Sequence, residues 1–447
     1  MAKKHRLNKN ILKRIQYRKS FSKFLRILGP GIVSGAADDD PSGIVTYSQA
    51  GAKYGFGFLW VFPFMYPMLI AVQESCSRIG AVTGKGLAAI IKDNFNKKLL
   101  FLAVLLVVVA NTINIGADLG AMASTTQLFI DLPFELLAVL YAVFVVVMVV
   151  FVDYKKYARM LKWLALSLLA YPIAAFLIKQ DWLEVIKKTF LVMPTVSSET
   201  IYIFVGIIGT TISPYLFFWD TSEVVEEEIT HRRLGLSGGS PKISRRFLRN
   251  LRLDNFIGMT LATLTAWFIV VVCATVLNSN GITNIDTAAD AAMALEPLVS
   301  TFPHAGLIAK LIFSIGVIGV GLLAVPVLAG SSAYAISEMF GWKEGLHRKF
   351  KKAIGFYSVI IIATAVGLLV NFIGINPIQA LIFTAVFNGV AAVPLLIMIF
   401  KIGNNQEIMG EYKNGRLSKL FLGVTIIIMA IAVFALFYSI VLGNNLT

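Results

Sequence analysis

The chain has 447 residues, 57% of them apolar, with a mean hydropathy of +0.76 and a formal net charge of +15. Apolar runs of roughly 18 residues or more recur along its length, which reads as a polytopic membrane protein with no room for a separate soluble domain. Nucleic-acid binding is excluded as the reason for the basic excess, because the charges cluster between apolar runs, and Cys76 and Cys273, each inside an apolar segment, suggest no disulfide framework.

Residues 1–27 carry Ile11, Leu12, Ile15, Phe21, Phe24 and Leu25 among many basic residues. A topology-setting flank is the simpler account, and a surface helix on anionic lipid is the other. No cleavable signal peptide is evident. Eleven membrane segments are predicted, at 28–52, 56–80, 100–127, 133–152, 158–178, 199–219, 253–278, 304–337, 353–371, 377–401 and 418–442. An inside N-terminus places 35 of the 40 Lys and Arg residues in inner connections. The positive-inside rule therefore predicts a cytoplasmic N-terminus and an extracytoplasmic C-terminus at Gly443–Thr447. The 230–252 connection, with Gly235 and Ser237–Ser240, reads as a flexible inner loop.

Two segments cannot be continuous helices. The first contains Asp38, Asp39, Asp40, Pro41, Ser42 and Gly43 where hydropathy places its middle. A carboxylate at that depth costs ~2.5–3.5 kcal/mol, and proline removes a backbone donor. The sixth segment carries Gly209-Thr-Thr-Ile-Ser-Pro-Tyr215, with Pro214 near mid-run. The first break opens one group of five segments and the second opens the next. Five being odd, the groups insert in opposite orientations, which predicts an inverted repeat with a midplane site. The first repeat is assigned to 28–178 and the second to 199–401, with 418–442 peripheral.

The donors at the breaks are all oxygen: the Asp40 carboxylate, the Thr210 and Ser213 hydroxyls, and unwound carbonyls around Ala37 and Thr210. Such a set suits hard cations, and Mg²⁺ keeps much of its water, so few direct protein contacts suffice. Asp40 reads as a cation ligand or as the cap of the half-helix after Pro41. Asp38 and Asp39 either add field to the cavity or face its mouth. Asn111, Asn114 and Asp118 share one helical face. The asparagines read as interhelical glue and Asp118 as part of a pathway. Asn388 faces the same cavity or bonds a neighbouring helix. Asp220, Glu223, Glu226, Glu227 and Glu228 read more simply as a solvated face, paired with Arg232 and Arg233, than as an inner vestibule drawing cations. Glu74 and Arg78 form an i, i+4 pair.

On these residues the chain resembles the NRAMP family of divalent metal transporters. Gln73–Leu87 looks like that family's second-helix exit and following loop. Gly29-Pro-Gly31 and Asp40-Pro-Ser-Gly43 sit where the family has Gly-Pro-Gly and Asp-Pro-Gly-Asn, and Gly209–Tyr215 matches Gly-Ala-Thr-Val-Met-Pro-His. The resemblance implies a LeuT-like all-α fold of eleven helices. It also makes Asp40 a metal ligand, with the family's ligand Asn, Met and Ala replaced by Gly43, Ser213 and Thr210. Loss of the thioether removes the family's soft partner, and two smaller side chains should widen the pocket. The family's third-helix Asp is Asp118, but its Glu is Ala121 and its sixth-helix His is Tyr215, so a proton relay is poorly supplied.

These departures look like the NRAMP-related magnesium transporter branch. The expectation is a non-enzymatic plasma-membrane carrier of divalent cations, Mg²⁺ foremost with Mn²⁺ as a second candidate, without cofactor, nucleic acid or obligatory protein partner. The ion would travel partly hydrated, without obligatory proton coupling. Proton-coupled Mn²⁺/Fe²⁺ transport and Na⁺-coupled carriage of an organic solute are the alternatives.

Overall fold

A computed structural model of the protein describes residues 34–35, 37–152, 169–178, 180–230, 234, 241, 243–300 and 304–441. The basic segment 1–27, most of 158–178, the glycine-rich part of the 230–252 loop and the C-terminal tail lie outside the described residues.

The first span breaks where its sequence makes an unbroken helix untenable. Residues 34, 35, 37 and 38 are helical, Asp39 is a bend, and α1 (Pro41–Tyr54) starts afresh. Pro41 takes a first-turn position of α1, where its missing N–H would have had no intrahelical partner. Asp40 is the cap, its carboxylate accepting from Gly43 N at 2.9 Å. Next come α2 (Val61–Thr83), α3 (Lys97–Thr126), α4 (Phe134–Phe151) and α5 (Ala170–Leu177). The second break separates α6 (Ser198–Thr211) from α7 (Pro214–Thr230). Pro214 cannot donate to the Thr210 carbonyl, so the Ser213 hydroxyl does, at 2.7 Å. The chain ends through α8 (Arg245–Val276), α9 (Ala305–Phe340), α10 (Ile354–Val370), α11 (Pro377–Asn404) and α12 (Arg416–Val441).

Among the described residues, seven helices are long and apolar enough to cross a bilayer, counting α6 and α7 as one. The others are α1 and α2, joined at a 111° bend, the 17-residue α10, and the fifth span, of which only the end is described. One boundary and one further helix differ from expectation. Residues 245–252, read as flexible loop, are the first turns of α8, capped by Ser244, which accepts from Phe247 N. Outside the spans, Trp182–Leu191 is an amphipathic helix that the apolar-run reading passed over.

Packing follows the inverted repeat. Exchanging span one with six, two with seven, three with eight and four with nine turns the α1–α8 contact into α7–α2, and α3–α4 into α9–α10; all four are present. Glycine allows the closest approaches. A Cβ on Gly209 would fall 2.2 Å from the Ala385 carbonyl and 2.4 Å from Gly389 N, locking α6 against α11. One on Gly35 would fall 2.5 Å from the Gly258 carbonyl, so the first half-helix lies flush on α8.

At the end of the bundle that carries the basic loops, the expected solvated acidic face is largely buried. Asp220 and Glu228 are 2% and 0% exposed. Glu226 accepts from Tyr334, from Leu346 N at 2.6 Å and from His347 N at 3.0 Å, fastening α7 to the end of α9 and its following loop. Arg232 and Arg233, the expected partners, lie outside the described residues. Burial, reinforced by Glu338 and Glu226 and opposed by Arg348, pushes the nearby Glu344 carboxyl up to about 10. Unfolded, it ionises near ~4.3, so between these values the unfolded chain binds fewer protons and stability falls as pH rises. Glu344→Gln should therefore melt above the wild type in detergent by a margin that widens from about pH 5 to about pH 9. Parallel melting curves would show that Glu344 ionises normally.

Candidate cation site

The two breaks face each other. The Tyr215 hydroxyl donates to the Ala37 carbonyl at 2.7 Å, Ser42 Oγ lies 3.4 Å from Thr210 Oγ1, and Tyr47 OH lies 3.1 Å from Thr211 Oγ1. Asp40 sits at this junction, 0% exposed. Ser42 Oγ and Gly43 N donate to its Oδ1 at 2.5 and 2.9 Å, and Asn114 Nδ2 donates to its Oδ2 at 2.8 Å. Thr384 of α11 fixes that amide by donating to Asn114 Oδ1 at 3.0 Å. Asp40 is thus a helix cap, and its second oxygen is oriented from a different helix. Capping uses one lone pair of Oδ1, and a carboxylate has others for a cation.

The remaining predicted residues divide. Ala37, Thr210, Ser213 and Tyr215 are buried at the junction. Two of the expected ligand carbonyls already have donors: Ala37 from Tyr215, and Thr210 from Ser213. Because the Ser213 proton points at a carbonyl, its oxygen lone pairs remain for a cation or its water. Gly43 opens no room in this conformation. A Cβ there would meet Thr210 Oγ1 at 3.1 Å and Tyr47 Cε2 at 3.3 Å, so the wider pocket expected from the small side chain is filled by its neighbours. Asp38 and Asp39 are 2% and 3% exposed, so neither faces solvent at a mouth.

Asp118 is fully buried, and neither carboxylate oxygen has a hydrogen-bond partner. Asn388 is 1% exposed with both amide atoms unpartnered, so the interhelical bond expected for it is not made. Asn111 is interhelical glue as read, its amide reaching the Leu328 carbonyl and Ser332 Oγ, both at 3.0 Å. Asn114 also joins helices, α3 to the first break and to α11, and it does more than that reading gave it. It touches Asp40 directly, and its place on the Asp118 face was the available signal.

Among the described residues no ion pair reaches Asp38, Asp40, Asp118 or Asp220. Nor do three His, Cys, Asp or Glu side chains converge to cage a metal. The junction therefore offers a carboxylate and hydroxyls rather than a dedicated protein cage, and it excludes sulfur and imidazole.

Paired broken spans in an inverted repeat define the class: a multi-pass membrane protein with the LeuT-like transporter fold. The same fold occurs in the manganese transporter of Eremococcus coleocola, with a TM-score of 0.73 at 16% identity over 95% of this chain and 89% of that one. It also occurs in MhsT, solved with L-phenylalanine, with a TM-score of 0.59 at 12% identity over 92% and 98%. In sequence, residues 31–439 match the family described as natural resistance-associated macrophage protein-like, Nramp. The divalent metal cation transporter MntH of Klebsiella pneumoniae subsp. pneumoniae is 28% identical over 88% of this chain and 89% of its own. MntH of Yersinia pestis is 23% identical over 91% and 93%. The chain belongs to the Nramp family, as the motifs at the two breaks implied. It is a metal-ion transport protein and not an enzyme.

If Asn114 orients Asp40, then Asn114→Ala should weaken Mn²⁺ and Mg²⁺ binding by about 10–100-fold, as loss of an outer-shell partner does. Asp40→Ala should abolish the high-affinity binding at this junction in calorimetric titration. An unchanged affinity in Asn114→Ala would remove the amide from the site.

Proposed function

We propose that this protein carries divalent cations, Mg²⁺ foremost and Mn²⁺ as a second substrate, by alternating access and without obligatory proton coupling. One observation supports the choice of ion: every polar side chain linking the two breaks is an oxygen donor or an amide, and none is a thioether, thiol or imidazole. Hard donors favour hard cations, whereas a sulfur ligand would favour softer transition metals. The similarity to the divalent metal cation transporters MntH supports the charge of the cargo. Asp40 serves as the central ligand, while Ser213 and Thr210 orient retained water.

Proton coupling is not energetically required. Each charge crossing ~100 mV gains ~2.3 kcal/mol, so a divalent ion gains ~4.6, enough for roughly 10³-fold accumulation. Inward flow then follows from the orientation we assign on the basic residues, with the N-terminus in the cytoplasm and the C-terminus outside the plasma membrane. The repeat boundaries assigned above, 28–178 and 199–401, complete the reading. Proton-coupled Mn²⁺ transport is the second reading, and the partnerless Asp118 carboxylate favours it. Membership of the Nramp family removes the ground for a Na⁺-coupled organic-solute carrier.

Proteoliposomes separate the two readings. We expect Mg²⁺ uptake driven by an inside-negative potential with no change in luminal pH. Mn²⁺ uptake that acidifies the lumen, with no Mg²⁺ flux, would decide for the second.

A further inference from the structure

The central site does not use all of the buried negative charge. Asp220 lies seven residues beyond Ser213, ~10 Å along α7 at the helical rise. The segment before the first break and the segment after the second lie on the same side of the site, that of the basic loops. There Ser34, from the first half-helix, donates to Asp220 Oδ1. Asp220 Oδ2 is buried and has no hydrogen-bond partner, and the residue is 2% exposed. Asp38, also 2% exposed, has its Oδ1 unpartnered and lies within Coulombic range of Asp220. Asp254 of α8, likewise 2% exposed, lies within Coulombic range of Asp220 from a third element.

Two buried carboxylates that no basic side chain meets among the described residues are expensive at this depth. The Ser34 contact does not account for the charge. An asparagine would accept the same hydrogen bond without it, and only one of the two oxygens is engaged. We propose that Asp220 and Asp38 form a second cation station on the basic-loop side of Asp40, with Asp220 ~10 Å along α7 from Ser213. It receives the hydrated divalent ion from the central site before release. This deepens the function proposed above and rests on it for the identity of the cargo. Two carboxylates and one hydroxyl are too few to strip a divalent ion, so the station holds it through its water. Such weak outer-sphere binding suits a site that must also let go.

The test sets charge against hydrogen bonding. Asp220→Asn keeps an acceptor for Ser34 and removes the charge, whereas Ser34→Ala removes the bond and keeps the charge. Reconstituted full-length Asp220→Asn should lose about tenfold or more of its divalent flux. Its calorimetric affinity at the central site should stay within about threefold of the wild type, because a charge ~10 Å away is partly screened. Ser34→Ala should keep at least about half the flux, since the bond contributes only modestly. Asp220→Glu should restore much of what the asparagine loses.

Equilibrium binding of Mn²⁺, followed by electron paramagnetic resonance, tests the station without any transport. Asp40→Ala should retain a weak Mn²⁺ site that disappears in the Asp40→Ala/Asp220→Asn double variant. This arm stays readable even if the wild type moves no Mg²⁺, so failure here is distinct from failure of the Mg²⁺ reading. Wild-type flux in Asp220→Asn, or identical Mn²⁺ binding in the single and double variants, would overturn the station. So would a loss in Ser34→Ala as large as that in Asp220→Asn, which would leave Asp220 as a latch for the first half-helix.

Discussion

A carboxylate held at membrane depth needs hydrogen-bond donors, and an intact helix has none to give, because its N–H groups are already committed to its own carbonyls. Breaking the span solves this. The N–H of Gly43 is available to Asp40 because α1 starts there and the first turn has no preceding carbonyls to bond. The Ser42 hydroxyl adds a second donor and the Asn114 amide a third. Hydrogen bonds to an ionised acceptor contribute roughly twice what neutral ones do. Asn114 in turn is fixed by Thr384, so the charge at one break ties α1 to α3 and α3 to α11. Removing the carboxylate altogether would leave those donors with nothing to meet.

The second break answers the first across the site. Pro214 frees a carbonyl, Ser213 recaptures it, and the same loop aims Tyr215 at the Ala37 carbonyl. The second break thereby satisfies part of its own loose backbone and part of the first break's, which keeps irregular chain tolerable inside a bilayer. The junction is shut tightly in this conformation, with Gly43 covered by Thr210 and Tyr47. In this conformation the first half-helix is held by its flush packing on Gly258, the Ser34 bond to Asp220 and the Tyr215 bond to the Ala37 carbonyl, and release toward the basic loops would have to undo all three.

Much of this was legible in the sequence because lipid punishes irregularity so heavily. Three aspartates followed by proline in an apolar run leave few alternatives to a broken helix, and a second proline at the sixth span, five segments on, sets the inverted repeat. The acidic stretch after Trp219 was misread because a run of Glu usually faces water. Here its partners are Tyr334 and the backbone of residues 346 and 347, more than a hundred residues away and invisible to local pattern. Asn114 was assigned to glue and does join helices, but that one of its partners is Asp40 was hidden, since spacing gives a face and not what that face meets. Gly43 shows the converse. A missing side chain suggests room, and only the neighbouring helix decides whether the room is filled. The start of α8 at Arg245 was hidden by its charge, which disguised a Ser244-capped helix as loop.

The account rests on the two breaks closing on one divalent ion held by Asp40. Anomalous diffraction from crystals of the protein soaked in Mn²⁺ would test this most directly. It predicts a strong peak between the Asp40 carboxylate and Ser213, either within about 2.0–2.6 Å of a carboxylate oxygen or one water layer further out. No peak at this junction while titration reports saturated binding would contradict it.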